Sequence, residues 1–401
     1  MQYLTTARDS AEEIRTSLRE LFSDRIREIV QELLELELDE AIGALRHERS
    51  QARNGYRNGH SQRTIVSEVG PIDLAAPRAR LDDGQGGTRE HRTEIIDRYQ
   101  RRTKRVNEAI LSCYLGGTNS RRIRKALAPL LGDTNLSKSA ISRVVAKLKE
   151  RFDEWARRDL SEEAVSIVYL DAMFLPVRIV KRVVRVPVQA VIGVREDGHK
   201  VLLSLRIAPS ESTASWKGVV EDLDRRGLPT PKLAIVDGNK GLLRSIADTW
   251  PATKIQRCTK HKLENLLDAA PKHCHGELKR DYREIVYAKT RGDAVKSYDA
   301  FVRKWSKLCE AVTTSLQEAG HALLTFYHFP KSQWKSLRTT NQIERLNGEF
   351  RRRTKTQGSF TNESSALVVL WGLVAFGHVA MRKIDGWQEL PKIDAILKDA
   401  A

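Results

Sequence analysis

Three carboxylates in this chain stand where they could hold a hard cation against a phosphate. Asp171 follows the apolar run 165–170, Asp237 closes LAIVDG at 233–238, and Glu344 lies within TTNQIERLNGEFRRRT at 339–354. A carboxylate at the end of a buried strand is costly unless something pairs with it. Two aspartates on neighbouring strand ends, joined by a glutamate from a facing helix, can supply the oxygen ligands that Mg²⁺ requires, with Mn²⁺ able to substitute. One or two such ions activate a water or a 3′-hydroxyl for in-line attack on phosphate and stabilise the leaving oxygen. Each acid also has a structural reading. Asp237-Gly238 is a turn dipeptide, Glu344 stands where a capping box begun by Asn341 would end, and Asp171 could bond to backbone. Glu349 competes with Glu344 for the third position.

Other chemistry-bearing residues cluster beside these. Cys258 and His261 form a C-x-x-H pair, followed by His273, Cys274 and His275. Such a set could hold zinc, but its second half has no regular spacing, so packing near the acids is the preferred reading. Arg351, Arg352, Arg353 and Lys355 follow Glu344 on one predicted helix. A run this dense is ordinarily a solvated face; beside phosphodiester chemistry it would grip a DNA backbone. Farther upstream, 116–150 reads as a helix-turn-helix. Its first helix starts after Thr118 or Asn119 and stops near Gly132, and its second is capped by Ser137. Ile141, Val144, Val145 and Leu148 form the apolar face of that second helix. Lys138, Ser142 and Arg143 lie elsewhere on it, as a major-groove recognition helix requires, and Arg121 and Arg122 precede it.

The elements that would position these groups follow from periodicity. Residues 8–47 read as a long amphipathic helix, whose stripe packs within the chain or against a second copy. Residues 53–80 are a basic hairpin, with short strands at 64–69 and 72–75 and turn signals at Asn54-Gly55, Asn58-Gly59 and Gly70-Pro71. Residues 81–90 read as a flexible linker. Strands at 165–170, 183–194 and 201–208, then helix 212–226, strand 232–236, helix 241–250 and strand 253–257, make a mixed α/β sheet. Residues 261–333 are helical throughout, 339–356 is a basic helix, and 364–381 is an apolar one. That last stretch could barely span a bilayer and carries two serines and two glycines, so it is expected as a core helix and no membrane partner is expected. A formal charge of +17 and a pI near 9.8 call for a polyanion, with DNA first. Four dispersed cysteines and no secretion signal fit a reducing cytoplasm.

RNGYRNG with the later PRAR, then YLDA, VDGNKGL, QRCTKHKLENLL and TTNQIERLNGEFRRRT, occur in that order. From about Arg53 to Trp387 the chain resembles the Mutator-type transposases of bacterial insertion sequences. The resemblance implies a ribonuclease-H-like core carrying a DDE triad of Asp171, Asp237 and Glu344, with an all-helical insertion before the glutamate and a mostly helical DNA-binding region ahead of the core. It matches Cys258 and His261 to a signature of unassigned role. The expected organisation is a helical region at 1–50 with a possible dimer contact, a basic hairpin and linker at 51–90, and a helix-turn-helix-like region at 91–160. The core follows at 161–262, the insertion at 263–335 and the glutamate helix within 336–401. The implied activity is binding of terminal inverted repeats and metal-dependent strand cleavage and transfer into target DNA, by a homodimer or higher oligomer at the nucleoid. A helix-turn-helix regulator without chemistry, or a metal-dependent nuclease that leaves the 3′ end unjoined, are the competing readings.

Overall fold

The computed structural model describes residues 2–118, 120–128, 136–355, 358–360 and 362–392, without side chains for 2–17, 120, 121, 138 and 392. The chain divides into two compact units, 1–146 and 147–401.

In the first unit, helix α1 (Gln2–Ile42) lies on an antiparallel hairpin of β1 (Gly55–Ser67) and β2 (Gly70–Asp82). Leu34, Leu38 and Ile42 of α1 are buried with Ile72, Leu74, Ala79 and Leu81 of β2. The hairpin expected from sequence is present, but its strands are two to three times as long, at 13 residues each. The stretch Ala75, Ala76, Pro77 carries little strand propensity of its own. It is held extended because Gln31 of α1 bonds both backbone groups of Ala75 and because α1 covers the alternate inward residues. Asn58-Gly59 is therefore not a chain reversal. It sits inside β1 at a register shift between Arg57 and His60, with Gly59 at φ 71°. The linker expected at 81–90 is also corrected. Arg80–Asp82 pair with a third strand, β3 (Thr88–Glu90), and Asp83 accepts from the Gln85 and Gly87 amides to close the loop between.

Helices α2 (Lys104–Leu115), α3 (Ser120–Ala126) and α4 (Lys138–Arg157) follow. Val106, Ile110, Ile123, Leu136, Ala140 and Ile141 form their common core. Ser137 caps α4 as expected, accepting from the Ala140 amide at 3.2 Å. The expected first-helix boundaries at Asn119 and Gly132 lie outside the described residues.

The second unit is built on a five-stranded mixed sheet in the order β6-β5-β4-β7-β8. Strands β4 (Val165–Ile179), β5 (Arg182–Arg195) and β6 (Lys200–Ile207) form an antiparallel meander, and β7 (Leu233–Val236) and β8 (Lys254–Arg257) add in parallel beside β4. Helices α5 (Thr213–Arg225) and α6 (Lys240–Thr249) are the crossovers, burying Trp216, Val220, Leu223 and Ile246 against the sheet. The strand 165–170 continues well past its expected end, so Asp171 does not terminate it. β4 pairs with β7 only through Ile167–Tyr169, stays in a three-stranded sheet with β5 and β6 as far as Met173, and then runs on with β5 as a two-stranded ribbon. Asp171 thus sits two residues beyond the last parallel pairing, level with the end of β7.

Residues 261–333 contain no strand among those described. They form α7 (Thr259–Ala269), α8 (His275–Val286), α9 (Arg291–Leu308), α10 (Glu310–Ala319) and short 3-10 turns. After α11 (Trp334–Leu337), helix α12 (Asn341–Thr354) carries Glu344. The apolar α13 (Glu363–Ala375) is buried through Val368, Val369, Leu370 and Leu373 and is started by an Asn362/Ser365 capping box. It stops six residues short of its expected end, where Gly377 takes φ 72°. No helix among the described residues is long and apolar enough to cross a membrane.

Candidate active site

Asp171 and Asp237 converge just past the C-terminal end of the β4–β7 pairing, in the middle of the second unit's sheet, because β4 and β7 are parallel neighbours. Asp171 is largely buried, and its Oδ2 accepts a 2.8 Å bond from Asn347 Nδ2 on α12. Burial and the nearby Asp237 charge push its carboxyl up to about 7, against the opposing pull of His261; Glu344 adds a smaller upward push. Asp237 turns back on its own loop, accepting from the Asn239 amide at 2.9 Å, while Asn239 Oδ1 caps α6. A fourth acid, Glu211, was not singled out from sequence. Burial, then the charge of Asp237, raises its carboxyl above the usual range.

Glu344 approaches from α12 and is held by three groups. Its Oε2 takes Lys260 Nζ at 2.6 Å, and its Oε1 takes the Thr340 hydroxyl at 2.8 Å and lies 3.6 Å from His261 Nε2. Burial raises its carboxyl, but the Lys260 and Thr340 hydrogen bonds and the charges of Lys260 and His261 bring it below the usual range. Glu349 does not share this position: it faces outward and pairs with Arg352 at 2.6 Å and Arg353 at 3.5 Å. The capping-box reading of Glu344 is also not met, since Thr340 rather than Asn341 is the N-cap residue.

Cys258 and His261 stand at the same point. Cys258 is buried at the end of β8, and its Sγ accepts the Thr340 amide at 3.4 Å, with the Thr340 hydroxyl at 3.3 Å. That hydroxyl has one proton, and the shorter contact, to Glu344, is the better aimed for it. A hydrogen bond to Cys258 raises His261 to about 9. Burial pushes the Cys258 thiol up, yet the bond and charge of His261, with help from Thr340, bring it below its usual value. Ligand atoms of Cys258, His261 and Glu344 all lie within 4.8 Å of one another, which is compact enough for a metal ion. His273, Cys274 and His275 fall on the following turn and are not part of that group. The C-x-x-H spacing pointed to this corner; the Lys260–Glu344 and Thr340–Cys258 contacts cross 84 and 82 residues and had no sequence signal, whereas Thr340 and Glu344 stand only four residues apart at the start of α12.

The basic residues divide. Of the run after Glu344, Arg351 is exposed, Arg352 pairs with Glu349, and Arg353 is half-buried with its guanidinium also on the His378 carbonyl. Along the same helix runs a cleft of about 590 Å³ lined by Lys200, Lys335, Arg345, Arg382 and Lys383, residues not predicted from sequence. Burial, then Arg345 and Arg382, lower the Lys200 ammonium, as expected where cations crowd. In the first unit, Arg122, Ser142 and Arg143 are exposed, whereas the side chains of Arg121 and Lys138 lie outside those described. Arg143 sits close enough to Arg102 that, after burial, its charge is the main influence lowering that guanidinium.

Comparison with known proteins is consistent over nearly the whole chain. A family model described as "Transposase, Mutator family" matches residues 2–382. The transposase for insertion sequence element ISRM5 of Rhizobium meliloti is 32% identical over 96% of this chain and 93% of its own. The transposase for IS256 in transposon Tn4001 of Staphylococcus aureus is 29% identical over 90% and 89%. Among solved structures, the Drosophila P element transposase strand transfer complex aligns over 74% of this chain and 84% of that one, at 11% identity and a TM-score of 0.30, a likeness too loose to carry an argument. The match of residues 2–382 to the family model and the near end-to-end similarity, at 32% identity, to an insertion-sequence transposase together make this chain a member of the Mutator family of transposases.

Proposed function

We propose that the second unit is a ribonuclease-H-like DDE core, interrupted by a helical insertion at 263–335, and that Asp171, Asp237 and Glu344 are its catalytic carboxylates. The single observation that carries this reading is the crowding of Asp171 and Asp237 beyond the end of the β4–β7 pairing, with the Asp171 carboxyl pushed up to about 7. Two acids so placed repel unless a cation stands between them, and among the described residues no lysine or arginine bonds Asp171. Their oxygens are hard donors, which fits Mg²⁺ and also Mn²⁺. Asp171, Asp237 and Glu344 would hold such ions. The ions would supply charge neutralisation at phosphate and a more acidic attacking hydroxyl.

The chain's own residues do the rest. Water oxygen bonds to the phosphorus at the element's end, and the P–O3′ bond breaks to leave a 3′-hydroxyl. That oxygen then bonds to a target phosphorus and releases a target 3′-hydroxyl, so bonds made and broken balance. Lys260 and Thr340 hold the Glu344 carboxylate, and Asn347 holds that of Asp171. Arg351, with Arg352 and Arg353 behind it, and the cleft through Lys200 and Arg345 would grip the phosphodiester backbone. The first unit, through Arg121, Arg122, Lys138, Ser142 and Arg143 on its paired helices, would bind the terminal inverted repeats.

A joining assay separates this reading from a nuclease. A duplex ending at the repeat with a free 3′-hydroxyl is incubated with supercoiled plasmid, protein and Mg²⁺. Covalent joining to the plasmid is expected. Plasmid cleavage with no joined product would instead mark a nuclease, and neither product with tight end binding would favour a regulator.

A further inference from the structure

The ribbon of β4 and β5 leaves the sheet and ends in an uncovered apolar tip. Past Met173 and Val188, the last residues level with β6, the two strands stay paired as far as Ile179 and Arg182. The root of the ribbon is fixed. Phe360 accepts from the Arg178 amide at 2.8 Å and donates its own amide to the Pro176 carbonyl at 3.0 Å, and Leu175, Val177 and Val186 are buried. Farther out, burial ends. Ile179, Val183 and Val184 are 40–52% exposed and Val180 is 91% exposed. Arg178, Lys181, Arg182 and Arg185 stand among them, all exposed. No acid occurs from Ala172 to Arg195, and none among the described residues pairs with these four side chains.

Val180 is the informative residue. With Lys181 it makes a two-residue hairpin loop, and its φ is 56°. Hairpin loops with positive φ ordinarily take glycine, asparagine or aspartate there, and a β-branched residue in that region is strained. A loop that only turned, or only touched phosphates, would have no use for an apolar side chain held in that conformation and left in solvent.

We propose that the tip is a wedge for duplex DNA. Val180 enters between adjacent base pairs, Ile179 and Val183 cover the opened step, and Arg178, Lys181, Arg182 and Arg185 hold phosphates on either side. Charge selects this occupant. A second copy pairing along the open edge of β5 would bring the same four cations against these, whereas a duplex brings one negative charge per about 1.7 Å of axis. Strand β4 sets the location. Val180 is nine residues from Asp171, so at about 3.3 Å per residue the tip reaches no farther than about 30 Å, or roughly nine base pairs, from the phosphate attacked. That location rests on the reading of Asp171 as catalytic; the wedge itself rests on the tip alone.

The test uses repeat-end duplexes with 2-aminopurine, whose fluorescence rises on unstacking, placed singly at each base pair within that reach of the boundary phosphate. With the full chain and no divalent metal, fluorescence should rise at one or two adjacent positions. Val180→Gly, which suits the positive φ, should keep the thermal midpoint and most of the end affinity but lose the rise, and Val180→Leu should recover it. Arg178→Ala/Arg182→Ala should lower the salt slope of end binding by about two. No rise at any position with wild type, a rise kept in Val180→Gly, a rise lost only together with end binding, or an unchanged salt slope would overturn the proposal. Nicking in Mg²⁺, assayed separately, reports on the catalytic reading. A Val180-dependent rise without nicks would leave the wedge standing and remove only its placement beside the attacked phosphate.

Discussion

Glu344 is set less by its own helix than by Thr340. That residue reaches back to Cys258 with its backbone amide and forward to Glu344 with its hydroxyl, so one residue joins the end of β8 to the start of α12. Thr340→Val keeps the shape and removes the hydroxyl. It is expected to lower strand-cleavage rate by roughly 10–100-fold, the usual loss when a group that orients a ligand is removed, with repeat binding unchanged. Thr340→Ser should restore most of that rate. Equal rates in the valine variant and wild type would show that Glu344 does not need the contact. Gly238, just after Asp237, is constrained differently. It takes φ 108°, and a Cβ there would collide with the Arg257 guanidinium. Gly238→Ala should cost about 2 kcal/mol or more in chemical denaturation; a change below the scatter of the measurement would contradict the stated geometry.

Arg257 on β8, Lys262 on α7 and Glu318 on α10 form the join between the sheet and the helical segment. Arg257 bonds both Glu318 oxygens at 3.0 and 3.1 Å, and Lys262 adds a 2.8 Å contact. Both cations are almost fully buried, so Glu318→Ala leaves them unpaired; allowing for the partial exposure of Glu318 itself, a loss of about 2–3 kcal/mol is expected. Burial pushes the Glu318 carboxyl up, but the two cations outweigh it and bring it to about 2. A lowered acid contributes stability that is complete above its ordinary value near 4.5 and lost as pH falls toward 2. The acid limb of the denaturation midpoint should therefore flatten in Glu318→Gln; an identical limb would remove Glu318 from the account. None of this was legible in the sequence, where Arg257 and Glu318 are 61 residues apart. The alternating order of strands and helices from 165 to 257 was legible, because full burial makes apolar runs and several of the connections carry glycine or aspartate, as at Asp197-Gly198, Gly227 and Asp237-Gly238. Strand ends were not. β4 outlasts its apolar run because β5 pairs with it as far as Ile179, and β2 passes through two alanines and a proline because α1 covers it. For the site, the types and order of Asp171, Asp237 and Cys258-x-x-His261 could be read locally, whereas Lys260, Thr340 and Asn347 gain their places only through the fold.

Over the whole molecule, a charge of +17 must be matched by a polyanion, and the exposed cations occur in both units. Binding of a repeat-end duplex should weaken by roughly 10³-fold between 50 and 200 mM salt if six or so phosphates are engaged. Arg143→Ala should reduce that slope by about one and weaken end binding; affinity independent of salt would exclude a backbone-gripping surface. The central claim is that three carboxylates distant in sequence do the cutting. Its most direct test maps nicks on a duplex containing the element's end, with Mg²⁺, for wild type, Asp171→Asn, Asp237→Asn, Glu344→Gln and Glu349→Gln, with binding followed in parallel. Nicks at the repeat boundary in wild type and Glu349→Gln, absent from the other three although all bind the end, are the predicted result. Cleavage at the wild-type rate by any of those three variants would contradict it.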